Sequence, residues 1–455
     1  MRPVTAAPAA ELAAFLGTQP GVQFIEAYFT NLAGVPRGKR LRVHEFAALY
    51  DNGRHLPGSV LALDITGMDI GEFGAVWEDG DADRLAWPVP GTLALAPWLG
   101  GDSAEVMLAM HELDGTACAL DPRAILQRVL ARFATDGLTP VIACELEFYL
   151  VDARRARDGG IRAVTGADGR IPDHRQVFGL DDNDFDGGFI GDLWAACDAL
   201  GLPTGAAIAE YAPGQYEVTL AHKPDALAAC DDAVRFKRAA KGVARRHRRT
   251  ATFMAKPFAA LPGSGLHLHV SVDDASGRNI FADTRPEGSP ALGHALGGCM
   301  ATLADTVAVL APNANSFRRL RPPSDPQRAG WAVNDRTVPL RIPPGDAATR
   351  HFEHRVAGAD ANPYLAAAVV LAGVHHGLTQ RLDPGAPVGS DGYSTGERLP
   401  TDWGYATERF ARSDVLADYL GARAVDTFAM LKRVEQERYN AVVTPLDYDW
   451  VLRSA

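Results

Sequence analysis

The run Thr139–Leu150, TPVIACELEFYL, constrains the fold more than any other stretch: it is apolar enough for a buried strand, yet it carries Glu145 and Glu147. Alternation along a strand puts both carboxylates on one face and Leu146 and Phe148 on the other. Two like charges that lose hydration together need a cation or a strong donor beside them. An edge-strand pair facing water is the plain alternative. Burying such a strand takes a sizeable core, and 455 residues exceed what one core usually serves, so at least two domains are expected.

With 47% hydrophobic and 22% charged residues, the chain has the composition of a globular protein. A formal charge of -11 argues against a nucleic-acid partner, which needs clustered Lys and Arg. The one dense basic run, Arg245 to Arg249, falls on a predicted helix and reads as a solvated face. Cys118, Cys144, Cys197, Cys230 and Cys299 are odd in number and never in a C-x-x-C pair, which excludes a disulfide framework and a structural zinc site. No apolar run approaches the roughly 18 residues of a membrane helix, and Glu11 interrupts the Ala-rich N-terminus, so no signal peptide or membrane partner is expected. The expected location is the cytoplasm.

After an N-terminal helix or extension (1–20), residues 21–110 carry short β-rich segments between turn signals: Val22–Thr30, Lys39–Val43, Val60–Ile65 and Thr92–Pro97. From Asp121 the pattern changes to an N-cap, a Pro at the first helical position and apolar residues at helical spacing. A larger unit, 111–455, then alternates the strands Thr139–Leu150, Gly214–Thr219 and Leu266–Val272 with the helices Phe189–Leu200, Pro224–His247 and Pro290–Leu310. Arg154–Asp186 reads as a surface loop, and Arg321–Gly330, RPPSDPQRAG, as a loop long enough for a lid. The fold class is α+β.

Further polar groups follow the same logic. In Glu210-Tyr-Ala-Pro-Gly-Gln-Tyr-Glu217 a Pro-Gly turn would bring the two acids across from each other, whether around a ligand or as an exposed hairpin pair. After the Gly263-Ser264-Gly265 turn, His267, His269 and Ser271 share one strand face, an arrangement suited to ligand or phosphate contact. Arg319, Arg336, Arg341 and Arg355 are spaced for planar recognition of carboxylate and phosphate, although any one of them could be a surface salt bridge. Oxygen-rich ligands with imidazole suit Mg²⁺ or Mn²⁺ better than tetrahedral zinc, and arginines beside such ions would favour phosphoryl transfer. There is no Walker A or kinase motif set.

The ordered set E-x-E, E…GQ-x-E, TATFMAKP (Thr250–Pro257), GSGLHLHVS, N-x-R-x(4)-R-I-P and E-H-R…ANPYL resembles the glutamine synthetase superfamily over nearly the whole chain. The resemblance implies a small β-grasp-like N-terminal domain and a large catalytic domain with a curved antiparallel sheet and flanking helices. It also implies a homo-oligomer, a dodecamer of two stacked rings, with active sites between neighbours. Carried over by position, Glu147, Glu210 and Glu217 match the ligands of one divalent ion, and Glu145, His267 and Glu353 those of a second. The site would hold roughly two or three Mg²⁺ or Mn²⁺ ions. His269 and Ser271 match ATP-phosphate contacts, and Arg336 and Arg341 the arginines on the transferring phosphate. Gly263, Arg319 and Arg355 match glutamate-binding positions, and Asp325 the Glu of the catalytic flap. The implied reaction is ATP-dependent ligation of the γ-carboxylate of glutamate to an amine through an acyl phosphate.

The departures concern the amine. Where ammonia-using members carry Asp-Gly-Ser-Ser, this chain has Leu56-Pro57-Gly58-Ser59, so the acid that holds ammonium is absent. Pro262 replaces the family's Asn before the glycine turn, and the Tyr motif used for adenylylation is not recognisable. Trp331-x-x-Asn334-x-Arg336 and Thr444–Trp450 resemble the γ-glutamyl-amine branch, which uses putrescine, other polyamines or small amines such as ethanolamine. Pro57, Ser59, Tyr149 and Tyr211 are the candidates for an amine pocket. The alternatives are a true glutamine synthetase, with Asp64 or Asp69 replacing the missing acid, and a catalytically silent regulator or scaffold.

Overall fold

The computed structural model describes residues 2–71, 80–157, 159–166, 169–171, 177–181, 188–321, 327–389 and 392–455. Two sheets organise it. The first contains β1 (Phe24–Thr30), β2 (Pro36–Arg42), β3 (Arg54–Pro57), β4 (Asp83–Pro88), β5 (Ala94–Leu95) and β6 (Ser103–His111). Its order is β2-β1-β6-β4-β3, with β1 and β6 parallel and the other pairs antiparallel, the β-grasp-like arrangement expected. The second contains β7 (Thr139–Asp152), β8 (Thr204–Ala209), β9 (Gln215–Leu220), β10 (Arg249–Thr252), β11 (Leu266–Asp273), β12 (Trp331–Val333), β13 (Leu340–Ile342) and β14 (Phe352–His354). Its order is β12-β13-β14-β11-β7-β9-β8, and all its pairs are antiparallel except β12 with β13.

Of the expected N-terminal strands, one is absent and one is much shortened. Val60–Ile65 is replaced by a 3-10 turn at Gly58–Leu61 and a loop, because side chains satisfy the backbone there. Asp81 accepts from both N–H and O–H of Ser59, and Asp64 accepts from the backbone N–H groups of Thr66 and Met68. Thr92–Pro97 is reduced to two paired residues, Ala94 and Leu95, before a 3-10 turn that starts at Pro97. The helices Phe189–Leu200 and Pro290–Leu310 have the expected ends.

The helix Ala226–Arg246, capped by the Asp225 carboxylate on the Ala228 N–H, ties the two sheets together. Its Arg238 donates to Glu105 on β6 and Glu26 on β1 and lies over the Tyr28 ring, so the fully buried Glu105 carboxylate is paired. Asn362 donates to the Asn31 carbonyl from the other side while capping the helix Pro363–Gln380. That helix crosses Pro290–Leu310 in backbone contact: a Cβ at Gly298 would sit 2.0 Å from the Gly373 carbonyl oxygen. Contrary to expectation, Pro290–Leu310 is long and apolar enough to cross a membrane, but 67% of its apolar window is buried inside the protein. Apolar residues of both sheets and of these helices form one continuous core.

Candidate active site

Register builds the site. On β7, Glu145 lies opposite His267 of β11 on one side and Thr219 of β9 on the other, and Glu147 lies opposite Glu217. On β14, Glu353 lies opposite both His269 and Arg341. Directly paired antiparallel residues point to the same face, so these side chains and Arg355, two residues on, share one surface of the sheet. Leu146, Phe148, Leu268, Val218 and Phe352 take the other face and are buried in the core. The Glu210–Glu217 hairpin forms in a different register from the expected one. Glu217 faces Ile208, while the Glu210 N–H donates to the Gln215 carbonyl, so the two acids are diagonal neighbours. The bulge between Thr204 and Ala207 shifts the register along this hairpin.

These residues line a cavity of about 610 Å³. Glu145, Glu147, Glu210, Glu217, His267, His269, Gly263, Arg319, Arg336, Arg341, Glu353, Arg355 and Tyr211 all reach its wall. Several expected members do not. Ser271 shares the face of His269 but lies further along β11, opposite Val141, and is buried outside the wall. Tyr149 is fully buried and donates to the Pro262 carbonyl at 2.8 Å, supporting the wall from behind rather than facing an amine. Pro57 and Ser59 stand on the N-terminal sheet and do not line the cavity of their own chain. Asp325 lies outside the described residues. The wall also contains Val177, Phe178, Ile208 and Tyr393, which no local pattern singled out, and Gln215 of the GQ-x-E motif. Gln215 donates to the Gly263 carbonyl at 2.8 Å and fixes the glycine turn.

That turn is fixed as glycine at Gly263, where a Cβ would sit 2.6 Å from the Ala255 carbonyl oxygen, and is crowded by side-chain ends at Gly265. A Cβ on Gly265 would meet His267 Nε2 at 2.7 Å and Arg319 Nη2 at 2.9 Å. The same close approach lets the Gly265 N–H donate to Glu147 at 2.8 Å.

Electrostatically the cavity has two halves. Glu353 is only 1% exposed, accepts from Arg341 at 2.8 Å and pairs with Arg355. Burial opposes its charge, but His267, Arg355 and His269 outweigh burial and bring its carboxyl down to about 2. Glu145 accepts from His267 Nδ1 at 2.7 Å, and against burial this bond and the nearness of His269, whose Nε2 is 3.5 Å away, hold it well below the usual range. Among the described residues Glu210 and Glu217 form no ion pair, although Glu210 accepts from the Tyr211 N–H at 3.2 Å and feels Arg355 weakly. Burial first, then Glu147 and Glu145, push Glu210 up to about 7; burial, then Glu145, Glu147 and Glu210, push Glu217 up to about 10.

Such a half-site suits a divalent cation. Its donors are mostly carboxylate oxygens with imidazole nitrogen, the set that hard ions prefer. Two triplets already have ligand atoms within 4.8 Å of one another: Glu145, Glu217 and His267, and Glu145, His269 and Glu353. This grouping cuts across the two ligand sets expected from position.

Residues 119–451 match the model of the glutamine synthetase catalytic domain. The chain belongs to the glutamine synthetase family. Family members depend on ATP and a divalent metal. The chain is 36% identical over 449 residues to γ-glutamylputrescine synthetase of Escherichia coli, covering 98% of this chain and 95% of that protein. To γ-glutamylethanolamide synthetase of Streptomyces coelicolor it is 31% identical over 431 residues, covering 93% and 90%. To the glutamine synthetase of Halobacterium salinarum it is 30% identical over 444 residues, covering 94% and 93%. The solved structure of ligand-free GmaS superposes with a TM-score of 0.85 at 31% identity, covering 98% of this chain and all of the other. The fold is therefore that of the glutamine synthetase family.

Proposed function

We propose that this chain is a carbon–nitrogen ligase that joins the γ-carboxylate of L-glutamate to an organic amine, such as putrescine, another polyamine or ethanolamine, at the expense of ATP. The observation that carries the reading is the convergence of Glu145, Glu147, Glu210, Glu217, His267 and Glu353 with four arginines on one cavity wall. Mg²⁺ or Mn²⁺ would be held by those acids and His267; when bound, such ions supply positive charge beside the reacting oxygens. Arg319 and Arg355 orient the glutamate carboxylates, Arg336 and Arg341 offset the charge of the transferring phosphoryl group, and His269 marks the phosphate end. A γ-carboxylate oxygen attacks the terminal phosphorus of ATP and the bond to ADP breaks. The amine nitrogen then attacks the acyl carbon, phosphate leaves, and the amine gives up a proton. The arginines act by position and charge, which lowers the barrier of the first step.

The amine preference rests on an absence and a commitment. Pro57, where ammonia-using relatives have Asp, cannot hold a compact cation. Asp64, the candidate replacement, is buried, ion-paired with Arg438 and engaged with Thr66 and Met68, so it is not available as a substitute. Asp69 accepts from Arg438 only through its backbone carbonyl. The likeness to synthetases named for putrescine and ethanolamide points the same way. The domain division at about residue 110, a cytoplasmic location and a ring-shaped dodecamer belong to the same reading. Five buried free cysteines suit a reducing compartment. The exposed Val442, Val443, Leu446, Trp450 and Leu452 near the C-terminus suit burial against another subunit.

The test is phosphate release from ATP with Mg²⁺ and glutamate across ammonium, ethanolamine, putrescine, cadaverine, spermidine and spermine. Turnover with an organic amine well above that with ammonium is expected. Ammonium as the best substrate would overturn the amine assignment, and silence across the panel would overturn the ligase.

A further inference from the structure

Beside the carboxylate cluster stands a second group of a different chemical kind. His222, two residues beyond the end of β9, His269 on β11 and His351, one residue before β14, bring ligand nitrogens within 4.8 Å of one another. Their ring centroids form a near-regular triangle: 5.7 Å from His222 to His269, 5.2 Å from His222 to His351 and 5.2 Å from His269 to His351. His351 Nδ1 bonds to the Thr349 carbonyl at 2.8 Å. A carbonyl accepts only, so that nitrogen carries the proton and Nε2 presents a lone pair. That lone pair faces His269 Nδ1 at 3.1 Å. Fixing the far nitrogen of a histidine on a backbone carbonyl is how proteins orient imidazole as a metal ligand. His269 is itself mostly buried, and its Nε2, 3.5 Å from Glu145, has no hydrogen bond in the structure. His222 is exposed, so its ring can swing to close the set.

We propose that His222, His269 and His351 form a nitrogen-donor site for a borderline divalent transition metal such as Zn²⁺, adjoining the oxygen-rich half that suits Mg²⁺ or Mn²⁺ and sharing His269 with it. All-imidazole donors favour Zn²⁺ and leave Mg²⁺, which needs oxygen ligands, without purchase. Three histidines leave a fourth tetrahedral position open to water or a phosphate oxygen. Because His269 is shared with the phosphate end of the cavity, metal and nucleotide influence each other's binding; this consequence alone rests on the reading of the cavity as an ATP site.

The test is calorimetric titration of Zn²⁺ into the full-length protein in millimolar Mg²⁺, with Co²⁺ as a spectroscopic substitute. One tight equivalent per chain and the visible absorption of tetrahedral Co²⁺ are expected. His222→Ala, a change at an exposed position, should weaken Zn²⁺ by at least about 10- to 100-fold, and His222→Cys, which supplies a thiolate, should keep it. Equal Zn²⁺ affinity in the wild type and His222→Ala, or no tight binding with Mg²⁺ present, would overturn the site. Zn²⁺ binding that depends on His222 but is indifferent to ATP would uphold the site and overturn His269 as the phosphate end.

Discussion

The two halves of the cavity solve the same problem in opposite ways. Glu353 buries its carboxylate beside the guanidinium groups of Arg341 and Arg355, and Glu145 beside the imidazoles of His267 and His269. Glu210 and Glu217 bury carboxylates beside other carboxylates. An unpaired buried charge is costly. The first pair is charge-balanced by the folded chain itself, whereas Glu210 and Glu217 are balanced only by a cation from outside, one that Glu145 and Glu353 would help to hold.

The largest effect should come from breaking the open half. Glu210→Ala should lower ATP-dependent phosphate release by about 10³-fold or more, as loss of a metal-ion contribution of several kcal/mol would. Near-normal turnover would remove Glu210 from the site. Breaking the closed half should cost stability as well as turnover. Arg341→Ala leaves Glu353 with Arg355 and His267 and should destabilise the protein by about 3 kcal/mol in urea unfolding. A loss below about 1 kcal/mol would show the pair to be solvated after all.

The halves should also respond to pH with opposite sign in metal-free protein. For Glu217, about 10 in the folded state against an ordinary 4.5, the folded chain holds the proton more tightly. Its contribution is full below about 4.5 and is lost as pH rises toward about 10, and Glu210 adds the same trend up to about 7. Glu353, brought down to about 2, contributes above its ordinary 4.5 and loses that contribution as pH falls toward about 2. Thermal midpoints without metal should therefore drop between pH 6 and 9, and Glu217→Gln should flatten that slope. A rising slope over that window would contradict the assignment. The smallest effect is at the supporting wall: Tyr149→Phe removes one hydrogen bond to Pro262 and should cost about 1 kcal/mol.

How much of this was legible in the sequence depends on whether alternation or long-range pairing decides a residue's place. Glu145 with Glu147, His267 with His269, and Glu353 with Arg355 each sit at a two-residue spacing inside one strand, so their shared face could be read directly. The register of the Glu210–Glu217 hairpin could not, because the turn closes tightly, with Gln215 N–H donating to the Ala212 carbonyl and Glu210 N–H to the Gln215 carbonyl, and this sets Glu217 opposite Ile208. Val60–Ile65 has strand composition, but its N–H groups bond locally and to a distant acid, Ala62 to the Ser59 carbonyl, Asp64 to the Met68 carbonyl and Ile65 to the Glu435 carboxylate, and this wins over propensity. Tyr149 continues the Glu145 and Glu147 face, yet the Pro262 segment covers it. His222 and His351 lie just beyond or before a strand, where periodicity carries no information, and only the folding of three distant segments makes them neighbours of His269.

That the acidic half of the cavity holds divalent ions is tested most directly by Mn²⁺ titration, followed by electron paramagnetic resonance, of the wild type and Glu217→Gln at pH 6 and pH 8. Binding in the wild type that tightens with pH, and is weakened at both pH values in Glu217→Gln, is the expected result. Equal Mn²⁺ affinity in the two proteins would contradict it.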